Sequence, residues 1–166
     1  LIHENIIFNV FQEYTRSGVF DEMIIVSNHI IENVMGGLAV FEYYDKINEM
    51  ITSTIHMINI FENSKSIINT FSFPHEIARI CTLGIVNPDS SGENLFYNLD
   101  AVRESRYYYA VPSTTLKTDK TLLKKVRDKI SSKAGASYGV YSTKYDHEYI
   151  YVFSRSSQIQ KSEKST

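Results

Sequence analysis

The stretch RYYYAVPSTTLK, residues 106–117, decides how the second half of this chain folds. Three tyrosines followed by Ala-Val suit the pleated surface of a strand, and Pro112 removes a backbone donor where that strand must end. Side chains alternate along a strand, so Tyr107 and Tyr109 share one face while Tyr108 points to the other. A single stacking platform built from all three rings is thereby excluded.

Downstream, Thr118 or Asp119 is placed to cap a helix whose apolar face is Leu122, Leu123, Val126 and Ile130, and Gly135 stands where a left-handed terminator is favoured. SYGVYS and EYIYVFSR then flank the turn TKYDH, which reads as a hairpin. Upstream, ARICTLGIV reads as a strand, NPDSSGEN is dense in turn formers, and LFYNLDAV reads as the return strand.

The first seventy or so residues have helical periodicity instead. Ile6, Ile7, Val10, Phe11 and Tyr14 repeat at three-to-four-residue spacing before Ser17-Gly18, and a second helix is expected from Phe20 or Asp21 through EMIIVSNHIIENVM, where the Gly36-Gly37 pair either ends it or lets another helix approach closely. A third stripe, Phe41, Tyr44, Ile47, Met50, Ile51, Ile55, Ile58 and Phe61, is the longest in the chain, and FSFPHE with Pro74 closes the helical part.

The fold expected from this order is α+β: N-terminal helices, then a five-stranded, mainly antiparallel sheet in the order βββ-α-ββ with helices packed on it. One domain is expected over residues 1–158, with a helical half at 1–72 and a sheet half at 76–155, and 159–166 forming a polar tail or the start of a linker. The opening at Leu1 and the polar ending suggest a piece of something longer.

At 166 residues, 43% hydrophobic and 22% charged, the composition is that of a folded globular chain able to bury a core without staples. No apolar run approaches the roughly 18 residues of a membrane span, so a cytoplasmic protein with no membrane contact is expected. Cys81 is the single cysteine, and its apolar neighbourhood marks it as a small hydrophobe rather than a reactive thiol. The net charge of −2 hides an asymmetry: residues 1–83 carry four bases and ten acids, and residues 84–166 carry thirteen bases and nine acids.

Chemistry-bearing groups are sparse. The sheet tyrosines offer apolar area plus an orienting hydroxyl, and Tyr107, Tyr109, Tyr138 and Tyr151 are the expected wall of a small-molecule site. Lys117, Lys120, Lys124 and Lys125 lie in a basic segment beside those tyrosines, the combination single-stranded nucleic acid uses, although the negative total charge makes this the lesser reading. NHIIENVMGGL, residues 28–38, resembles the phospho-accepting helix of sensor kinases, which implies His29 as a phosphoacceptor; the family's acid after the histidine is Ile30 here, its proline is Val34, and no ATP-binding box follows.

Asp146, His147 and Glu148 are contiguous, but neighbouring strand residues diverge, so no metal site is expected there or at His3, His56 and His75. GxSxG, Walker and dinucleotide glycine motifs are absent. No cofactor is expected, and a non-catalytic role is favoured over an enzyme. The function expected is a regulatory or sensor-type domain that binds a small molecule, or a protein partner or second copy through its helical half; nucleic-acid binding and histidine phosphotransfer are the alternatives.

Overall fold

The computed structural model describes residues 2–89 and 92–162. Ser90 and Ser91 of the turn-rich NPDSSGEN, Leu1, and residues 163–166 of the polar tail lie outside the described residues.

The helices are α1 (Ile2–Arg16), α2 (Asn28–Met35), α3 (Tyr43–Glu62), α4 (Ser113–Thr118) and α5 (Leu122–Ser131). The strands are β1 (Met23–Ile24), β2 (Ile68–Asn69), β3 (Ile80–Val86), β4 (Glu93–Leu95), β5 (Val102–Pro112), β6 (Ala136–Thr143) and β7 (Tyr149–Ser156). Among the described residues these strands make one mixed sheet in the order β1-β3-β7-β5-β6-β2, with β4 also on β3. The α+β class stands, and the five-stranded, mainly antiparallel sheet is corrected to seven strands of both senses.

Local events at β1 and β4 account for part of the difference. The second helix expected from Phe20 or Asp21 starts only after Ser27, whose hydroxyl accepts from the Ile30 N–H at 3.4 Å. Ahead of it, Met23 and Ile24 pair in parallel with Ile80 and Cys81 of β3. That helix does end at Gly36, whose φ of 77° is the left-handed C-terminal conformation glycine adopts without strain. β1 and β4 share the outer edge of β3, and β4 crosses so closely at Gly84 that a Cβ there would lie 2.3 Å from the Asn94 carbonyl oxygen.

The expected SYGVYS/EYIYVFSR hairpin does not form. β6 pairs in parallel with β5, joined by the α5 crossover, while β7 inserts antiparallel between β3 and β5. Position explains this, because β5 and β7 are central strands packed on both faces, and β7 buries Ile150 and Val152 on one side and Phe153 on the other.

Each face carries its own core. On one, α2 and α3 cover Cys81, Leu83, Tyr108, Ala110, Tyr141 and Phe153 with Ile31, Ile47, Ile58 and Phe61. On the other, α5 presses Leu122, Val126 and Ile130 onto Tyr107, Tyr109, Val111, Tyr138, Val140, Ile150 and Val152. Phe8 of α1 joins a third cluster with Ile25, Ile80 and Tyr97. Ile159 packs there too, and Gln160 is buried.

Asp119 precedes α5 and accepts from the Thr121 N–H (2.8 Å), the Thr121 hydroxyl (2.7 Å) and Lys125 Nζ (3.2 Å). Those bonds, the Thr121 hydroxyl first, hold its carboxyl down at about 2. Because the folded value lies below the ordinary one of 3.8, the contribution is complete above the ordinary carboxylate range and lost as pH falls through about 2. An NMR titration of the Asp119 carboxyl is expected to show that low midpoint in the wild type and a value nearer 3.8 in Thr121→Val; equal midpoints would refute the assignment.

Candidate functional site

On the α3 face of the sheet a cleft of about 430 Å³ opens between the helix and strands β3, β5 and β7. Helical spacing builds one wall: Thr52, Ile55, His56, Asn59 and Glu62 follow one another at intervals of one or three residues along a single side of α3. Strand alternation builds the floor, with Leu83 from β3, Tyr108 from β5, and Phe153 and Arg155 from β7. Glu22 and Ile24, at and just before β1, close the remaining side.

The floor is apolar at its centre and ionic at its rim. Arg155 Nη1 lies 2.9 Å from Glu22 Oε2 and 3.8 Å from Cys81 Sγ, and the guanidinium stands 4.8 Å over the Phe153 ring. Its Nε is 3.1 Å from Glu104 Oε1, close enough for an ion pair, yet neither buried atom completes a hydrogen bond. A register shift between Val102 and Glu104 brings Glu104 opposite Arg155, the re-aiming a β-bulge performs.

A second pair continues the network. Arg106 Nη1 meets Glu62 Oε1 at 3.1 Å, Nη2 donates to the Ser72 carbonyl at 2.5 Å, and the Tyr108 hydroxyl donates to the same Glu62 oxygen. Arg106 also covers the Phe71 ring at 5.3 Å. Burial, then the bond to Glu62 and its charge, push the Tyr108 phenol far above its ordinary range, so it remains a neutral donor. Burial likewise pushes the Cys81 thiol up to about 12, with the Glu22 and Glu104 charges raising it further and the nearby Arg155 charge only partly opposing the rise. At neutral pH that sulfur is a protonated, buried hydrophobe and not a nucleophile.

The residues singled out in the sequence are dispersed. Tyr107, Tyr109 and Tyr138 are buried beneath α5: Tyr107 donates to Glu93 at 2.6 Å with Lys133 Nζ 5.0 Å from its ring, and Tyr109 meets Tyr138 edge-on at 6.5 Å. Tyr151 lies on the opposite face, 6.0 Å from Phe61. The four therefore share no wall, and the tyrosine that lines the α3 cleft is Tyr108. Lys117, Lys120, Lys124 and Lys125 are exposed on α4, α5 and the turn between them, whereas Tyr107, Tyr109 and Tyr138 among the tyrosines they were read with are buried.

His29 is exposed near the start of the eight-residue α2, 3.4 Å from the Asn33 amide. Among the described residues no three His, Cys, Asp or Glu side chains gather as a metal site. Sequence reading gave no site role to His56, Asn59 and Glu62, whose i, i+3, i+6 spacing beside the long stripe was the available signal, and missed Arg106 and Arg155, two arginines beside strand aromatics.

No family model matches the chain, and no curated protein matches it. Solved structures do. An empty FtsZ dimer from M. jannaschii aligns with a TM-score of 0.55 at 10% identity, over 81% of this chain and 45% of that one. A point mutant of FtsZ from the same organism aligns at 0.56 and 13% identity, over 84% of this chain and 47% of that one. At such identities the likeness is one of fold, and the chain spans about half the length of those structures. Among the described residues no helix is long and apolar enough to cross a membrane.

Proposed function

We propose that this chain is a non-catalytic, cytoplasmic regulatory or sensor-type domain that holds a small molecule in the cleft between α3 and the sheet. The observation that carries this reading is the cleft itself, an apolar floor of Leu83, Tyr108 and Phe153 ringed by groups already fixed in ion pairs. Its volume falls in the roughly 300–1,000 Å³ range of small-molecule sites, which are mostly apolar with a few placed polar groups. The Arg155 charge, held by Glu22 and Glu104, orients a ligand without reorganising when it arrives.

His56, Asn59 and Thr52 supply polar edges on the helix side. Tyr108 and Cys81, held protonated, favour binding over acid–base or nucleophilic chemistry. A fragment screen followed by NMR tests this: hits are expected to shift the resonances of Asn59, Leu83 and Phe153 and to lose affinity at least tenfold in Asn59→Trp, which fills the mouth. Hits that map beneath α5, or that bind Asn59→Trp equally well, would move the site elsewhere.

A further inference from the structure

Helix α1 is turned inside out. The face it packs against the domain carries Phe8, Gln12 and Thr15, with Gln12 and Thr15 fully buried, whereas its apolar stripe points outward. Ile6 is 53% exposed, Ile7 54%, Val10 42%, Phe11 46% and Tyr14 50%. A surface helix ordinarily buries its stripe and solvates the opposite side.

The reversal is fixed by specific bonds. Gln12 Nε2 donates to the Gln160 carbonyl at 3.0 Å while its Oε1 accepts from the Gln160 N–H at 2.6 Å, a reciprocal pairing with the backbone 148 residues away. Rotating the helix to bury its stripe would expose two backbone groups and break both bonds. The stripe also continues beyond the helix: Phe20 folds back to within 6.2 Å of Phe11 and 6.3 Å of Tyr14, and Val19 is 66% exposed beside it.

With large aromatic side chains offering roughly 150–250 Å² each, these seven half-open residues present on the order of 600 Å² of apolar surface. That stands at the top of the roughly 300–600 Å² range of the largest apolar patch on an ordinary monomer, where such patches are often functional, and approaches the roughly 800 Å² per partner of a stable protein interface. Its three aromatic rings cluster at one end, where interface energy concentrates. The stripe contains no charged side chain, so the same surface on two copies meets without ionic repulsion at its centre.

We infer that this face binds a second copy of the chain, with the two α1 helices antiparallel about a twofold axis near Val10. Such a contact is isologous and closes at a dimer. It sets Ile6 of one copy beside Tyr14 of the other and Val10 beside its own counterpart. Ile6 and its counterpart then lie about 12 Å apart along the helices, from a rise of about 1.5 Å per residue.

Sedimentation equilibrium of the wild type is expected to give twice the 19.1 kDa chain mass at micromolar concentration. Ile7→Asp/Val10→Asp is expected to sediment as a monomer with an unchanged circular dichroism spectrum, since both side chains are outside the core. Cys81 is buried, so Val10→Cys supplies the one accessible thiol and should oxidise to a covalent dimer, whereas Ile6→Cys should not. A wild-type monomer at these concentrations overturns the inference and leaves the face to a different polypeptide, and cross-linking through both positions overturns the antiparallel arrangement. Neither result bears on the α3 cleft, which lies on another surface.

Discussion

Replacing Arg155 by methionine is expected to lower the unfolding free energy by about 3–5 kcal/mol, the cost of removing one partner of a buried ion pair. The side chain is 14% exposed and stands between Glu22 and Glu104, and the Glu104 side chain is itself only 10% exposed. Methionine fills a similar volume over Phe153 but leaves the Glu104 carboxylate in the sheet with no counter-charge. Glu22, at 39% exposure, can turn to water, so the larger part of the loss belongs to Glu104. The double variant Arg155→Met/Glu104→Leu is expected to recover most of it, because the desolvation cost of both ions then disappears. Urea denaturation of the two single variants and the double closes the cycle; additive losses would mean that the pair is not coupled.

Tyr108→Ala is expected to cost about 3–5 kcal/mol, in the range of large aromatic deletions. Its ring is 1% exposed and lies 5.3 Å from Phe71, 6.3 Å from Phe61 and 6.4 Å from Tyr141, so alanine leaves a void bounded by sheet on one side and α3 on the other. Tyr108→Phe separates the hydroxyl from the ring and is expected to cost about 1–2 kcal/mol, since Glu62 keeps Arg106 but loses one charge-assisted bond. Denaturation midpoints that fall equally in the two variants would show that packing around the ring contributes little.

How much of this was legible depends on how local each cause is. The alternation of Tyr107, Tyr108 and Tyr109, the end of α2 at Gly36 and the apolar face of α5 follow from neighbouring residues, and sequence reading reached all three. The place of β7 between β3 and β5 rests on pairings across 39 to 76 positions, and TKYDH carries the same turn residues whether or not its flanking strands pair. β1 and β2 are two residues each and sit inside segments whose isoleucines suit either a helix or a strand edge.

The cleft was hidden for a related reason. Glu22, Glu62, Tyr108 and Arg155 come from four separate elements, and the bulge that swings Glu104 toward Arg155 leaves no mark in RESR. Tyrosine abundance pointed to the sheet but not to a face, and the α5 side took Tyr107, Tyr109 and Tyr138 as packing. The stripe of α1 was visible from the start; that it faces outward depends on Gln12 meeting Gln160 from the other end of the chain.

Native mass spectrometry of gently purified wild type beside Asn59→Trp tests the central claim most directly. A ligand in the α3 cleft predicts extra mass of a few hundred daltons on the wild type, lost on denaturation and absent from the variant. Bare chain mass in both proteins, or the same adduct on both, would contradict it.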